Sequence, residues 1–415
     1  MKKDLFEELR ARGFVHQSTN EEQIRKILNE EKVTFYFGID PTADSLHIGH
    51  FFGLRFFQKL QQAGHKGIVL IGGGTGQVGD PTGRSDLRKM MDKETTENYV
   101  DSIREVIARF IDLEGENKAI IVDNNDWIND YSYIDFIREI GIHFNVNTML
   151  STEAYANRME EGGLTFLEMG YMLLQAYDFV YLNKKYNCTL QIGGSDQWGN
   201  IIAGCNLHRK MAFASGDEAS EVYGLTCPLL TTKEGKKMGK SEKGTLWVDS
   251  KKTPVFDFYQ YFYNVNDEDV EMLLKAFSDI ELNEIEKLVK DDIIEAKRTM
   301  AYEVTKLVHG RLEADKVIED VKSLYGDKKG TLDSIPEFVL PFSYLKDNNN
   351  IMDLAFDSNF LPSKSEARRL IKNGGLSLND ERVEEIDLII EEKLLEDNCL
   401  ILKKGKKSFL KIMFE

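Results

Sequence analysis

Through the first 230 residues, short apolar runs alternate with longer stretches whose apolar positions recur every three to four residues. Residues 34–39, 67–71, 119–122 and 188–192 are the short runs, and each reads as a strand buried on both faces. Helical spacing between them makes a βαβ rhythm, which predicts a parallel sheet. After Trp247 the pattern changes, and residues 255–325 read as amphipathic helices with few strand candidates. The stretch 326–350, with "GDKKG", two prolines and "KDNNN", reads as a linker. The expected organisation is an α/β domain at 1–230, a lysine-bearing loop and connector at 231–250, a helical domain at 251–325, the linker, and a small α+β domain at 351–415.

Composition adds limits rather than identity. A chain of 415 residues has room for two or three separate cores. Its 42% hydrophobic and 30% charged content suits a folded soluble protein, and no apolar run approaches the ~20 residues of a membrane helix. The charged start, Met1 to Arg12, is unlike a secretory signal. Cys188, Cys205, Cys227 and Cys399 are scattered without a CxxC pair, and read as reduced thiols of a cytoplasmic protein with no structural metal. A net charge of −17 argues against a generally adhesive nucleic-acid binder, although binding depends on local patches.

Candidate chemistry begins at "YFGIDPTADSLHIGH", residues 36–50. A turn at Asp40-Pro41-Thr42 follows the strand, and Asp44 or Ser45 can cap a helix starting near Leu46. His47 and His50 then share one face of its first turn and a half. A helix N-terminus attracts phosphate through free amides and its dipole, and two imidazoles there suit a transferring phosphoryl group. Gly49 leaves room for a flat ring against the helix backbone. The same residues fit a plain pair of half-buried surface histidines. Zinc is a weaker rival, because zinc helices space histidines at i and i+4 and need a third ligand.

Next comes "IGGGTGQVGDPTGR". Its GxGxxG, Gly74 to Gly79, is a poor dinucleotide fingerprint, since Asp80-Pro81 stops the helix that fingerprint needs. It lets a small substrate approach backbone and the Asp80 carboxylate together, or is only a tight strand-to-helix connection. In "EMGYMLLQAYDFVYL", Tyr171, Gln175 and Asp178 fall at i, i+4 and i+7 on one helix face among apolar neighbours. Exposed, that stripe is the polar side of an amphipathic helix; enclosed, it grips a small molecule bearing an amine and a hydroxyl. "LQIGGSDQWGN" places Gln191, Asp196 and Gln197 at the carboxyl end of a strand, where open parallel sheets bind ligands. "EGKKMGKSEKG" sets Lys236, Lys237, Lys240 and Lys243 among glycines, as a polyphosphate clamp or an ordinary solvated loop.

In combination these stretches resemble the class I aminoacyl-tRNA synthetases, with "HIGH" at 47–50 and "KMGKS" at 237–241 as their two signature motifs. "YFGIDPTADSLHIGH", "GDPTGR", "YMLLQAYDF" and "LQIGGSDQWGN" further resemble the bacterial tyrosyl-tRNA synthetases, in order and along the whole chain. The resemblance implies a Rossmann-like catalytic domain, an α-helical domain and a small RNA-binding domain. It implies tyrosine–tRNA ligase activity on L-tyrosine, ATP with Mg2+, and tRNA(Tyr), and a homodimer whose face lies in the insertion at roughly 110–160. Tyr36 and Asp178 would contact the phenol hydroxyl; Tyr171, Gln175 and Asp80 the ammonium; Gln191 and Gln197 the carboxylate side. Thr42 and His47 would stabilise the pyrophosphate of ATP in the transition state. Gly49 and His50 would lie by ribose and adenine, Gly194 and Asp196 would hold ribose, and Gly38 and Asp40 would complete the ATP site. Arg84, Arg88, Lys237 and Lys240 would be mobile cations on the leaving pyrophosphate. Two positions depart from the pattern. Gly239 replaces the signature serine and keeps the loop pliable, and Arg84 stands where some members carry lysine.

In the tail, Ser363 can cap a helix bearing Lys364, Arg368, Arg369 and Lys372, followed by Gly374-Gly375 and the strand-like "LSLNDERVEE". "ILKKGKKSFLKI" adds a second basic edge. This resembles a small RNA-binding domain of a ribosomal protein and of pseudouridine synthases, which implies tRNA contact; the bland reading is a solvated basic helix. Other activities share parts of the pattern. A metabolic nucleotidylyltransferase would use the histidine motif without needing the tail. A retired paralogue binding only RNA would let the motifs decay, and a dehydrogenase rests on the GxGxxG alone.

Overall fold

The computed structural model describes residues 4–82, 91–216, 218, 220–241, 244–325, 335–395, 397–405 and 408–415. Two compact units emerge: Met1–Asp249 with Asp267–Ile293, and Ser250–Asn266 with Ile294–Glu415.

The first unit is built on a six-stranded sheet: β1 (Gln17–Ser18), β2 (Thr34–Ile39), β3 (Lys66–Ile71), β4 (Ile120–Asp123), β5 (Cys188–Gly194) and β6 (Tyr223–Cys227). The order is β1-β6-β5-β2-β3-β4, all parallel except β1, which is antiparallel to β6. Helices cover both faces, which is why the inner strands read as continuous apolar runs. Alternate residues of β2 face opposite layers. Phe35 packs on Phe57 of the helix Ile48–Gln62 at 4.8 Å, and Tyr36 packs on Phe179 of the helix Phe166–Tyr186 at 5.3 Å. From β2 the chain moves outward through β3 and β4 on one side and through β5 and β6 on the other. A crevice therefore opens at the carboxyl ends of β2 and β5. The sequence pattern locates β2 to β5 within two residues. It misses β6, whose apolar run is broken by Gly224; a Cβ there would sit 2.2 Å from Ile201.

A hairpin of β7 (Lys240–Ser241) and β8 (Gly244–Thr245) lies in the lysine loop. The helices Asp267–Phe277 and Leu282–Asp291 join this unit through buried cations. Arg55, 1% exposed, donates to Asp279 at 2.9 Å, while Arg12, 3% exposed, donates to the carbonyls of Lys275, Ser278 and Ile280.

In the second unit, the helices Val255–Tyr263, Ile293–His309 and Arg311–Tyr325 accompany a five-stranded sheet. Its strands are β9 (Glu337–Leu340), β10 (Leu376–Leu378), β11 (Glu381–Arg382), β12 (Cys399–Lys404) and β13 (Ser408–Phe414), ordered β11-β10-β12-β13-β9. The expected linker differs here. β9 pairs in parallel with β13, Glu337 facing Lys411, and Leu340 and Leu345 enter the tail's apolar core. Pro336 and Pro341 flank a strand rather than interrupting one, so their turn signal misleads. The rest of that stretch, 326–334, lies outside the described residues. The tail helix forms as expected: Ser363 Oγ accepts from Glu366 N at 3.1 Å, and the helix Lys364–Lys372 exposes Lys364, Arg368, Arg369 and Lys372. Among the described residues no helix is long and apolar enough to cross a membrane.

Candidate active site

The crevice holds a cavity of about 420 Å³ lined by β2, the histidine helix, the helix Phe166–Tyr186, the end of β5 and the lysine loop. His47 explains the spacing of its motif. The helix starts at Ile48, and its cap is His47 rather than the expected Asp44 or Ser45. His47 Nδ1 accepts from the amides of Gly49 and His50 at 3.1 and 3.2 Å. A Cβ on Gly49 would stand 2.9 Å from that ring, so glycine lets the imidazole fold back over its own helix. The amide of Ile48 is also taken, donating to Leu246 O at 3.1 Å. The free amides expected to hold a phosphate are thus occupied, and an anion meets side chains instead.

Capping fixes the tautomer. With Nδ1 accepting, the single proton of neutral His47 sits on Nε2. Burial and the Lys237 charge lower its pKa to about 4, so it is neutral at pH 7. His50 stacks on it at 3.7 Å, and burial, His47 and Lys237 lower its pKa well below the usual value. The pair offers N–H donors near charge without adding charge of its own.

The lysine loop is stitched to this helix. Met238 N donates to Leu230 O, Leu246 N to Gly239 O, and Val248 N to Leu46 O, all within 3.0 Å. Gly239 has φ +90°, and a Cβ there would fall 2.6 Å from Ile48 Cγ2. Glycine here therefore supplies a left-handed turn packed closely against the histidine helix, a use beside the pliability expected from sequence. Gly239→Ala is expected to slow the ATP-dependent step that the resemblance implies about tenfold, from ~1–2 kcal/mol of left-handed strain with the added collision. An unchanged rate in single-turnover measurement would mean that the loop works in another conformation.

At the far end, Tyr36, Tyr171, Gln175 and Asp178 line the same cavity with Asp80, Gln191 and Gln197. Asp178, 1% exposed, accepts from Trp127 Nε1 at 2.8 Å and from Asn124 Nδ2 at 3.0 Å. Tyr171 Oη donates to Asp40 Oδ2 at 3.0 Å, and Gln197 Nε2 donates to Asp80 Oδ2 at 2.8 Å. Four buried atoms facing this space have no partner among the described residues: Tyr36 Oη, Gln175 Oε1, Gln191 Oε1 and His50 Nδ1. A buried polar atom without a partner costs ~1–3 kcal/mol, so four around one cavity describe a site built for a ligand.

Burial pushes the Asp178 carboxyl from 3.8 up to about 8, against the pull of Asn124 and Trp127. A folded-state value above the ordinary one means that protonation favours the fold. This contribution is complete below about pH 4 and is lost as pH rises through about 8. Asp178→Asn cannot ionise, so its melting temperature should gain on the parent's as pH rises from 5 to 8.5. A constant difference across that range would mean that the buried carboxyl titrates normally.

Thr42, Gly38, Asp40, Gly49, Gly194, Asp196 and Lys237 also line the cavity. Lys240 is placed by its backbone, paired with Thr245 in the hairpin. Arg84, Arg88 and Lys243 lie outside the described residues. Sequence reasoning missed Thr75, Asn124 and Trp127. For Asn124 and Trp127 the one local signal is "DNNDW" at 123–127, a polar cluster closing β4.

Comparisons with known proteins agree with this geometry. The family of class I tRNA synthetases for tryptophan and tyrosine (W and Y) matches residues 28–326, and the tyrosine–tRNA ligase SYY-like C-terminal domain matches 329–412. A tyrosine–tRNA ligase of Clostridium tetani is 47% identical over 418 residues, covering 100% of both chains. One from Acetivibrio thermocellus is 47% identical over 411 residues, 98% of each. Among solved structures, a C-terminally truncated Aspergillus nidulans mitochondrial tyrosyl-tRNA synthetase matches with a TM-score of 0.69 at 29% identity, covering 78% of this chain and 94% of that one. An Archaeoglobus fulgidus tyrosyl-tRNA synthetase, at 18% identity and a TM-score of 0.57 over 76% of this chain and 99% of that one, shares the fold. The chain belongs to the class I tyrosyl-tRNA synthetases and carries that family's C-terminal domain.

Proposed function

We propose that this crevice joins L-tyrosine to ATP, forming tyrosyl-adenylate and pyrophosphate, and passes the tyrosyl group to the 3'-terminal ribose of tRNA(Tyr). The unpartnered Tyr36 hydroxyl beside Asp178 carries the choice of amino acid. A phenol O–H donates to Asp178 and accepts from Tyr36, so tyrosine completes both. Tyr171 has committed its proton to Asp40, which leaves its oxygen as an acceptor for the ammonium, together with Gln175 and Asp80. Gln191 and Gln197 face the carboxylate side.

The tyrosine carboxylate attacks the α-phosphorus in line, and the bond to the bridging oxygen breaks with its electron pair leaving on pyrophosphate. An ionised carboxylate needs no general base, so the protein supplies position and charge stabilisation. ATP arrives with magnesium carried on its phosphates. Thr42 and His47 Nε2–H meet the charge that develops, and Lys237, Lys240, Arg84 and Arg88 follow the departing pyrophosphate. Gly38, Asp40, Gly49, His50, Gly194 and Asp196 hold the nucleoside. The ribose hydroxyl of the tRNA then attacks the acyl carbon and AMP leaves. Amino-acid-dependent ATP–pyrophosphate exchange across the twenty amino acids tests this reading: exchange with tyrosine alone is expected, and exchange led by another amino acid would overturn it.

The tail is assigned to tRNA. Lys364, Arg368, Arg369 and Lys372 are exposed on one short helix, with Lys403 and Lys404 on β12. A chain cut after Tyr325 should keep tyrosine-dependent exchange and lose tRNA charging by tenfold or more. Binding of tRNA to the whole protein should fall steeply with salt, as counterions are released. Undiminished charging by the cut chain would make the tail dispensable. A homodimer is supported by Tyr133, Ile142 and Phe166, which are 65%, 75% and 66% exposed in and beside the 110–160 insertion. Four free cysteines suit a cytoplasmic protein.

A further inference from the structure

We propose that Thr75 and Asn124 form a bridge that sets the two substrate-facing carboxylates, Asp40 and Asp178, in one fixed arrangement, making Thr75 a positioning residue for tyrosine selection. Thr75 Oγ1 donates to Asp40 Oδ1 at 2.9 Å and accepts from Asn124 Nδ2 at 3.0 Å. The second proton of Asn124 Nδ2 goes to Asp178 Oδ2 at 3.0 Å, and Asn124 Oδ1 accepts from Gly74 N at 2.8 Å. Tyr171 closes one end on Asp40, and Trp127 closes the other on Asp178. Thr75 and Asn124 are 2% and 0% exposed, so water does not substitute for these partners at the surface.

The direction of every proton is forced. An amide nitrogen only donates, so the Thr75 hydroxyl has to send its single proton to Asp40. Asp40 then accepts twice, which obliges Tyr171 to donate to it and to present a bare oxygen to the cavity. At the other end, Asn124 spends its remaining proton on Asp178 Oδ2 while Trp127 donates to Oδ1, which fixes the orientation of that carboxyl group beside the cavity. One hydroxyl thereby fixes the polarity at both ends of the amino acid. The glycine-rich loop makes the contact feasible: a Cβ at Gly72 would lie 2.1 Å from Asp40 Oδ1 and 2.3 Å from Thr75 Oγ1. This gives the loop a purpose that neither a dinucleotide site nor a simple connection supplies.

The inference rests on placing the phenol at Asp178 and Tyr36, and the test separates the two. Exchange kinetics with tyrosine and with phenylalanine are measured for the parent, Thr75→Val, Thr75→Ala, Thr75→Ser and Asp178→Asn. Losing the hydrogen bonds to the Asp40 carboxylate and the buried Asn124 amide predicts a rise of about 10- to 100-fold in KM for tyrosine in Thr75→Val, with a comparable fall in the tyrosine/phenylalanine ratio and a smaller change in kcat. Thr75→Ala should behave alike, which guards against a misplaced methyl, and Thr75→Ser should restore both quantities to within about threefold. Parental KM and selectivity in Thr75→Val, while Asp178→Asn loses selectivity, would overturn the bridge alone. Serine as impaired as valine would also overturn it, because the hydroxyl would then be irrelevant. Unchanged selectivity in Asp178→Asn would overturn the underlying placement of the phenol.

Discussion

Phenylalanine should support exchange about 10⁵-fold less efficiently than tyrosine in kcat/KM, a figure known for tyrosyl-tRNA synthetases and carried over to this one. The physical ground lies in two buried groups. Tyr36 Oη has no partner among the described residues, and Asp178 lies 1% exposed beside the cavity. Phenylalanine fits the volume but leaves the Tyr36 hydroxyl without a partner and gives Asp178 nothing beyond Asn124 and Trp127, so the protein loses in that complex what tyrosine gives back. Tyr36→Phe with Asp178→Asn removes the groups that object. Most of the discrimination should disappear, chiefly through a higher KM for tyrosine. Retained selectivity in that double variant would place the hydroxyl-reading groups elsewhere.

Thr42→Ala with His47→Gly should slow adenylate formation on the order of 10⁴-fold or more, counting ~10²–10³ for each donor aimed at developing charge. Dissociation constants for tyrosine and ATP should stay within about threefold, since these donors act on charge that exists only in the transition state. The tautomer supports this division. His47 is neutral, holds its helix through Nδ1, and has only its Nε2 proton left to offer. Glycine is the suitable replacement because it also tolerates the cap position, at a cost of a few tenths of a kcal/mol. Stopped-flow measurement of activation alongside equilibrium binding separates the outcomes. ATP affinity falling in step with the rate would make both residues ordinary binding groups.

What could be read from sequence was local. β2 and β5 are legible because both of their faces are buried and their runs are apolar, and the stripe Tyr171, Gln175, Asp178 is legible because one helix carries it. The long-range partners were not. Trp127 and Asn124 reach Asp178 from 51 and 54 residues away, across a strand order that spacing alone does not supply. The His47 cap escaped for another reason. Imidazole is not among the usual capping side chains, and only its folded-back ring, allowed by Gly49, makes Nδ1 an acceptor for the helix. At β9, the flanking prolines signal a turn by local rules, whereas pairing with β13 decides the place of the strand between them.

The route of the chain between the two compact units bears on modularity. The catalytic unit takes its last piece, Asp267–Ile293, only after the chain has left it for Ser250–Asn266 and returned. An active fragment therefore does not end where the signature motifs end. Excision after Asp249 would keep every proposed active-site residue yet strip Arg55 of Asp279 and Arg12 of three carbonyls. Arg55 would keep Gln58 and Arg12 would keep Glu8, yet each hydrogen bond lost from a charged group costs ~1.5–3 kcal/mol, a large share of what holds a domain together. Grafting, splitting or minimising this enzyme has to respect that return, because the catalytic half is a complete object only beyond Ile293.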